Sequence, residues 1–195
     1  MNVRPVVLEG SSVRLEPLAL DHAPGLYRVA RPEIFTWMVD WPADAGYEAF
    51  RDWERRGLEI PAAVLFAIVD RASGQPVGGT AYLDIRPNHR VLEIGRTWIG
   101  AGHQGTAVNP ESKLLLLRHA FEDLGALRVQ LKTDLRNLHS QRAIEKLGAV
   151  REGVLRKYQL RADGLPRDTV MYAITDEDWP GVRARLEARL AEIAR

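Results

Sequence analysis

The spacing of apolar residues changes partway along the chain, from a strand-like period to alternating helical and strand-like ones. Val13-Arg14-Leu15-Glu16-Pro17 alternates apolar and polar side chains, as a half-buried strand does, and Asp21 then opens a short helix. Residues 32–46 follow no regular period, although Phe35, Trp37, Met38 and Trp41 fall within them. Phe50, Trp53 and Leu58 recur at near-helical spacing and predict a helix over residues 47–58. Residues 63–70 and 77–85 read as two strands joined by the turn Ser73-Gly74-Gln75, with Gly78-Gly79 as a bulge. Another strand covers residues 91–99 and ends in Gly100-Ala101-Gly102.

Beyond that point the pattern changes. Asn109-Pro110-Glu111 signals a helix start, with a capping residue, a proline at the first helical position and an acid in the first turn. This helix should run to Leu124 and stop at Gly125. A strand over residues 128–133, a helix over 137–147 closed by Gly148, and a strand over 150–160 follow. Asp163-Gly164 turns into a last strand at 168–174. Trp179, Val182, Leu186, Leu190 and Ile193 are three or four residues apart and predict an amphipathic helix, appended over residues 176–195. The order predicts a mixed α/β (α+β) fold. Residues 1–195 would form a single domain around a central, mostly antiparallel twisted sheet with helices on both faces.

Composition narrows the chemistry. The 195 residues are 46% hydrophobic and 27% charged, a globular profile, and no stretch reaches the roughly 20 apolar residues of a membrane helix. No apolar run follows Met1-Asn2-Val3-Arg4-Pro5, so neither a signal peptide nor a membrane partner is expected, and the cytoplasm is the expected location. Cysteine is absent, which excludes disulfides, thiolate metal sites and a cysteine nucleophile. The five histidines lack metal-ligand spacing, so no metal is expected. A net charge of +1 argues against nucleic acid. Between Arg128 and Asp168, however, ten Lys/Arg stand against five Asp/Glu. That surplus suits either an anionic ligand or a solvated surface.

The most informative segment runs from Trp98 and Ile99 through Gly100-Ala101-Gly102-His103 to Gln104-Gly105-Thr106-Ala107-Val108. A strand feeds a small-residue loop that opens a helix, whose free N–H groups and dipole attract anions. Gly105 and Ala107 let a ligand approach the backbone, as a pyrophosphate would require. No Gly-Lys-Ser/Thr follows, so this is not a triphosphate loop, and the dinucleotide fingerprint is missing too.

Asn137-x-x-Ser140 and Ala143-Ile144-Glu145-Lys146-Leu147-Gly148 come about thirty residues later. Glu152-Gly153-x-Leu155-Arg156, Asp163-Gly164-x-x-Arg167-Asp168 and Tyr172 complete the series. With the Gln104-Gly105-x-Ala107 loop, with Glu111 four residues on, and the opening Val13-Arg14-Leu15-Glu16-Pro17-Leu18, these motifs make the chain resemble the GCN5-related N-acetyltransferase (GNAT) superfamily. Within it, the chain is similar to the ribosomal-protein acetyltransferase-like branch over roughly residues 10 to 178. One departure is that Gly102 stands where the family usually has Gln or Arg, with Gln104 next to the glycine.

The resemblance implies acetyl-coenzyme A as co-substrate, an amine acceptor and a splayed cleft that binds the cofactor. The strand holding Trp98 and Ile99 would pair with the pantetheine arm, and Gln104, Gly105, Thr106, Ala107 and Val108 would hold the pyrophosphate. Asn137 would bond the cofactor's amide region, and Arg142 and Lys146 would meet the adenosine phosphates. Ser140 is the implied acid for the leaving thiolate, with Tyr158 next in line. Asn137 also reads as a helix cap, Ser140 as a residue of the capped first turn and Glu111 as a dipole partner. Trp37, Met38 and Trp41 either line an acceptor pocket or pack as core or lid.

Amine acetylation needs a neutral nitrogen and a proton for the thiolate. Glu93 is the candidate base, and strand alternation would put Glu93, Gly95 and Thr97 on one face. A direct transfer to an amine follows, with a protein N-terminal α-amine as the favoured acceptor. A polyamine, amino acid or aminoglycoside acetyltransferase is the alternative, and a non-catalytic acyl-CoA-binding module another; a homodimer is left open.

Overall fold

The computed structural model describes residues 1–41 and 46–195, so the stretch 42–45 of the segment expected to be irregular lies outside the described residues. Eight strands form one sheet: β1 (Leu8–Glu9), β2 (Val13–Pro17), β3 (Val64–Asp70), β4 (Pro76–Arg86), β5 (Val91–Ile99), β6 (Arg128–Asp134), β7 (Val150–Leu160) and β8 (Pro166–Thr175). Five α-helices accompany them among the described residues: α1 (Ala23–Val29), α2 (Tyr47–Leu58), α3 (Val108–Arg118), α4 (Leu138–Leu147) and α5 (Trp179–Ile193). The strand order is β1-β2-β3-β4-β5-β6-β8-β7, and every pair is antiparallel except β5–β6. The mixed, mostly antiparallel sheet expected from the sequence is present, and the predicted spans match to within two residues nearly everywhere. The short strand β1 left no periodic signal in two residues.

Two apolar layers sandwich the sheet. On one face Phe66, Ile68, Tyr82, Leu92, Ile94, Leu131 and Tyr172 pack with Leu116 and Leu117 of α3, Ile144 of α4 and Leu186 of α5. On the other, Leu65, Ala67, Val69, Ala81 and Trp98 pack with Leu26 of α1 and Phe50 and Trp53 of α2, joined by Phe35 and Trp41. Strand β3 supplies both layers by alternation, which is why it reads as a continuous apolar run. Phe35 stacks on Trp41 with ring centroids 3.7 Å apart, so Trp41 belongs to this core.

Three local expectations are corrected. Asn109 does not cap α3: the helix begins at Val108, whose N–H is met by the Thr106 hydroxyl at 3.3 Å, and Asn109 falls inside the first turn. Leu58 is 43% exposed, because the buried side of α2 is Phe50, Trp53, Glu54 and Gly57. Strict alternation along β5 also fails. Arg96 takes a left-handed backbone (φ 51°), and the β4–β5 register slips between Gly79 and Ala81. Ile94 therefore joins the α3 layer and Trp98 the α2 layer, which puts Thr97 on the opposite face from Glu93.

Candidate active site

Strand β5 separates from β6 after three paired residues. Val91, Leu92 and Glu93 pair with Arg128, Val129 and Gln130; beyond them Ile94–Ile99 has no strand on that side, while Leu131–Asp134 continues only with β8. A wedge opens between the two strands with Glu93 at its vertex, and the backbone edge of β5 is free to pair with an extended ligand. The side chains of Trp98 and Ile99 are buried in the core layers, so these two residues offer the cleft backbone only.

At the wide end of the wedge, β5 passes through a 3-10 turn (Ala101–His103) into the loop before α3. Gln104 folds back to donate from Nε2 to the Ile99 carbonyl at 3.0 Å, and the Thr106 hydroxyl donates to the His103 carbonyl at 2.7 Å. The N–H groups of Gly105, Thr106 and Ala107 meet no acceptor among the described residues. Gly105 is left-handed (φ 76°), and a Cβ built on it would touch nothing within 4 Å. Free N–H groups, an 11-residue helix starting at Val108 and open space form a cradle that fits a pyrophosphate. Glu111, one turn in, turns away from it. Its carboxylate accepts hydrogen bonds from the N–H groups of Ser11, Ser12 and Val13, and these outweigh burial to hold its pKa below the usual value.

Helix α4 starts beside the other wall, just past β6. Asn137 Oδ1 accepts the Ser140 N–H at 3.1 Å, the cap expected from the sequence. The Asn137 side-chain amide N–H groups and the Ser140 hydroxyl make no hydrogen bond to any described residue, so a cap and a ligand contact are compatible. Arg142 and Lys146 lie on the same helix, with no carboxylate within 4.0 Å among the described residues. Such unpaired cations are suited to phosphate.

Glu93 is 2% exposed, and its Oε2 lies 2.8 Å from Lys132 Nζ across the vertex. Its Oε1 lies over Gly95, where an added Cβ would approach it to 2.7 Å. Lys132 Nζ in turn sits 5.5 Å from the ring centre of Tyr158, which is 47% exposed. The structure thus links Glu93 and Tyr158 through Lys132 and leaves Ser140 on a separate element, hydrogen-bonded to neither.

Several ionisable groups near the cleft carry little or no signal in the sequence. Glu54, 3% exposed on α2, has its pKa pushed up to about 7 by burial, against the pull of Arg96. Arg96 lies 3.7 Å above the Trp53 ring and pairs with Asp40. Lys113, 5% exposed on α3, is drawn down to about 7 by burial. Only Glu54 is legible beforehand, since it falls one turn after Phe50 on the apolar side of its helix. Among the described residues, no three His, Asp or Glu side chains are grouped to hold a metal ion, and no helix is long and apolar enough to cross a membrane.

Comparison with known proteins places this geometry. The family model described as "Acetyltransferase (GNAT) domain" matches residues 12–150. The "Putative ribosomal N-acetyltransferase YdaF" of Bacillus subtilis is 26% identical over 130 residues, 67% of this chain and 68% of its own. The crystal structure of a "putative acetyltransferase" from T. thermophilus is 47% identical with a TM-score of 0.91, covering 97% of this chain and 100% of that one. Mycobacterium smegmatis RimJ, solved in complex with CoA-disulfide, shares the fold at 21% identity, with a TM-score of 0.77 over 95% of each chain. The chain belongs to the GNAT family and is an N-acetyltransferase, with relatives in the ribosomal-protein acetyltransferase-like branch.

Proposed function

We propose that the chain transfers acetyl from acetyl-CoA directly to an α-amine at a protein N-terminus. The observation that carries the cofactor half is the wedge between β5 and β6, which ends in the unpaired N–H groups of Gly105, Thr106 and Ala107. RimJ, which shares the fold, was solved with a coenzyme A derivative, and this supports the same occupant here. The open edge of β5 at Trp98 and Ile99 takes the pantetheine arm. The loop from Gln104 to Val108 takes the pyrophosphate, Asn137 an amide of the arm, and Arg142 and Lys146 the adenosine phosphates.

Bound acetyl-CoA supplies an activated acetyl carbonyl. The amine nitrogen bonds to that carbon as the C–S bond breaks. Glu93 takes the proton that nitrogen loses, through a water where the amine is out of reach, and the Ser140 hydroxyl gives one to the departing sulfur. With no cysteine in the chain, direct transfer needs no enzyme thioester.

The acceptor half rests on base strength. A lysine amine has a pKa of about 10.4 and a terminal amine about 7.7–8.0, so near pH 7.4 roughly one lysine in a thousand is neutral against about one terminal amine in four. The difference is on the order of 3.5 kcal/mol. The candidate base, Glu93 beside Lys132, is a carboxylate, and an α-amine asks for no stronger group.

The test is acetyl-CoA turnover, read as free thiol, with peptides bearing free N-termini, the same peptides blocked at the N-terminus but carrying lysine, polyamines and aminoglycosides. Turnover should be confined to free N-termini and fall at least tenfold in Glu93→Gln. Turnover of blocked lysine peptides or polyamines at equal rates would remove the α-amine assignment. Coenzyme A binding without turnover of any acceptor would make the chain a binding module.

A further inference from the structure

Three polar atoms on β7 and β8 are buried with no hydrogen-bond partner among the described residues: Arg167 Nε, Thr169 Oγ1 and Gln159 Oε1. Directly paired residues share a sheet face, so the register locates them. Thr169 pairs with Asp134 on β6 and with Leu155 on β7, and Arg167 pairs with Gln159. Lys132, two residues from Asp134, is on that face, and so is Glu93, which pairs with Gln130. Leu131, Val170 and Tyr172 fill the opposite, apolar face. This face of the sheet therefore carries Glu93 and Lys132 at the vertex of the wedge and, toward its wide end and behind β6, Thr169 and Arg167 on β8 and Gln159 on β7.

Arg167 is the anomaly. It is 7% exposed, its side chain donates no hydrogen bond, and no described carboxylate lies within 4.0 Å of it. The neighbouring acids are engaged elsewhere: Asp134 accepts three hydrogen bonds from Arg136, and Glu93 pairs with Lys132. Burial is the largest influence on Arg167, working against its charge; Asp134 and Glu93 attract it more strongly than Arg136 and Arg161 repel it, yet together they do not offset the burial. Those two arginines lie 5.2 and 6.0 Å from the Trp37 ring centre, so three guanidinium groups gather at this end of the wedge. A guanidinium whose Nε is buried with no described partner, on the same sheet face as a fully buried hydroxyl that also has none, is costly to a fold. A ligand carboxylate would satisfy both, through the forked geometry of Arg and the single donor of Thr.

We propose that Arg167 and Thr169 form a subsite for a carboxylate carried by the amine acceptor, so that the preferred acceptor is an α-amine with an anionic group within one residue of it. The proposal rests on the acetyl-transfer reading and adds the chemistry of the acceptor. The carboxylate is either the side chain of an acidic first residue in a peptide, in keeping with an N-terminal acceptor, or the α-carboxylate of a free amino acid, which would replace the protein N-terminus as acceptor while keeping acetyl transfer to an α-amine. Polyamines and aminoglycosides bring only positive charge and offer nothing to Arg167, while Arg136 and Arg161 already hold Asp134 and Asp163, so they are disfavoured.

Matched pairs of acceptors separate these cases: alanine against alaninamide, and a peptide starting with Asp against the same peptide starting with Asn. The carboxylate member of one pair should show at least tenfold higher kcat/KM, and the pair that responds identifies the source. In Arg167→Met the preference should fall below threefold, mainly through KM, and in Thr169→Val, a near-isosteric change that should preserve folding, it should fall severalfold. Titration of N-acetylaspartate and its diamide in the presence of coenzyme A reads the subsite without turnover. Tighter binding of the carboxylate in wild type, lost in both variants, is expected even if acetyl transfer itself is not seen. Equal kcat/KM and equal affinity within each pair, or a preference unchanged in Thr169→Val, would overturn the subsite and leave the acetyl-transfer reading standing.

Discussion

Lys113 Nζ donates to Thr97 Oγ1 at 2.6 Å, and the same oxygen lies 2.8 Å from Thr80 Oγ1. This chain of three polar groups ties α3, whose first turn opens at the Gly105 loop, to the bulged stretch of β5 that borders the wedge. It crosses an otherwise apolar layer, and no described carboxylate compensates the ammonium within 4.0 Å.

The cost of that burial should be visible as a pH dependence. The Lys113 pKa falls from 10.5 in the unfolded chain to about 7 in the folded one. Between these values the unfolded chain binds more protons, so wild-type stability rises with pH from about 7 upward. Lys113→Met removes the penalty. It should stabilise the fold by up to a few kcal/mol near pH 6.5, and the gain should shrink toward pH 10. Denaturant titrations at the two pH values measure this, and an equal gain at both would mean that the ammonium is solvated or paired.

Glu54 should slope the other way. Its pKa is raised from 4.5 to about 7, so between those values the folded chain binds more protons and stability falls as pH rises. Glu54→Gln keeps the shape and removes the buried charge. The variant should match wild type near pH 4.5 and exceed it by on the order of 1–3 kcal/mol at pH 8. A loss of stability at pH 8 would show instead that the ionised carboxylate holds Arg96 in place.

The cradle before α3 predicts a clean separation of binding from folding. Gly105→Val puts a branched side chain into the open space and onto a left-handed residue. The backbone strain should cost about 1–2 kcal/mol, while coenzyme A affinity should fall more than tenfold. Isothermal titration of the folded variant decides it: affinity within twofold of wild type would take the cofactor away from this loop.

Much of this was legible in the sequence. Apolar periodicity located nearly every element, because strands such as β3 and helices such as α5 bury faces that their side chains announce. The Asn137–Ser140 cap and the Gly105 loop were legible as local motifs, since each is built within a few consecutive residues. The bulge at Arg96 was not, because nothing in Gly95-Arg96-Thr97 signals a positive φ on an arginine; it arises from pairing with Gly79 and Ala81 far away in sequence. The same limit hid Lys132 beside Glu93 and the unpaired Arg167. A lysine in a strand reads as a surface residue until the fold sets a carboxylate opposite it, and Arg167 reads as one more charge in a basic segment.

Ser140 carries the most exposed assignment. Its N–H is engaged by Asn137 while its hydroxyl has no described partner, so the side chain is free to serve the departing sulfur. Ser140→Ala removes that donor with little change in volume and leaves the backbone cap intact, so folding and coenzyme A binding should persist. General acid catalysis is typically worth about 10²–10⁴-fold, and a coenzyme A thiolate also leaves unassisted at some rate. The expected loss is therefore at the low end, roughly 10- to 100-fold in kcat, with KM for acetyl-CoA little changed. Steady-state rates with the favoured acceptor measure both constants. If affinity for the cofactor falls while kcat holds, Ser140 is a binding residue, and the proton comes from the half-exposed hydroxyl of Tyr158, which Tyr158→Phe would then reveal.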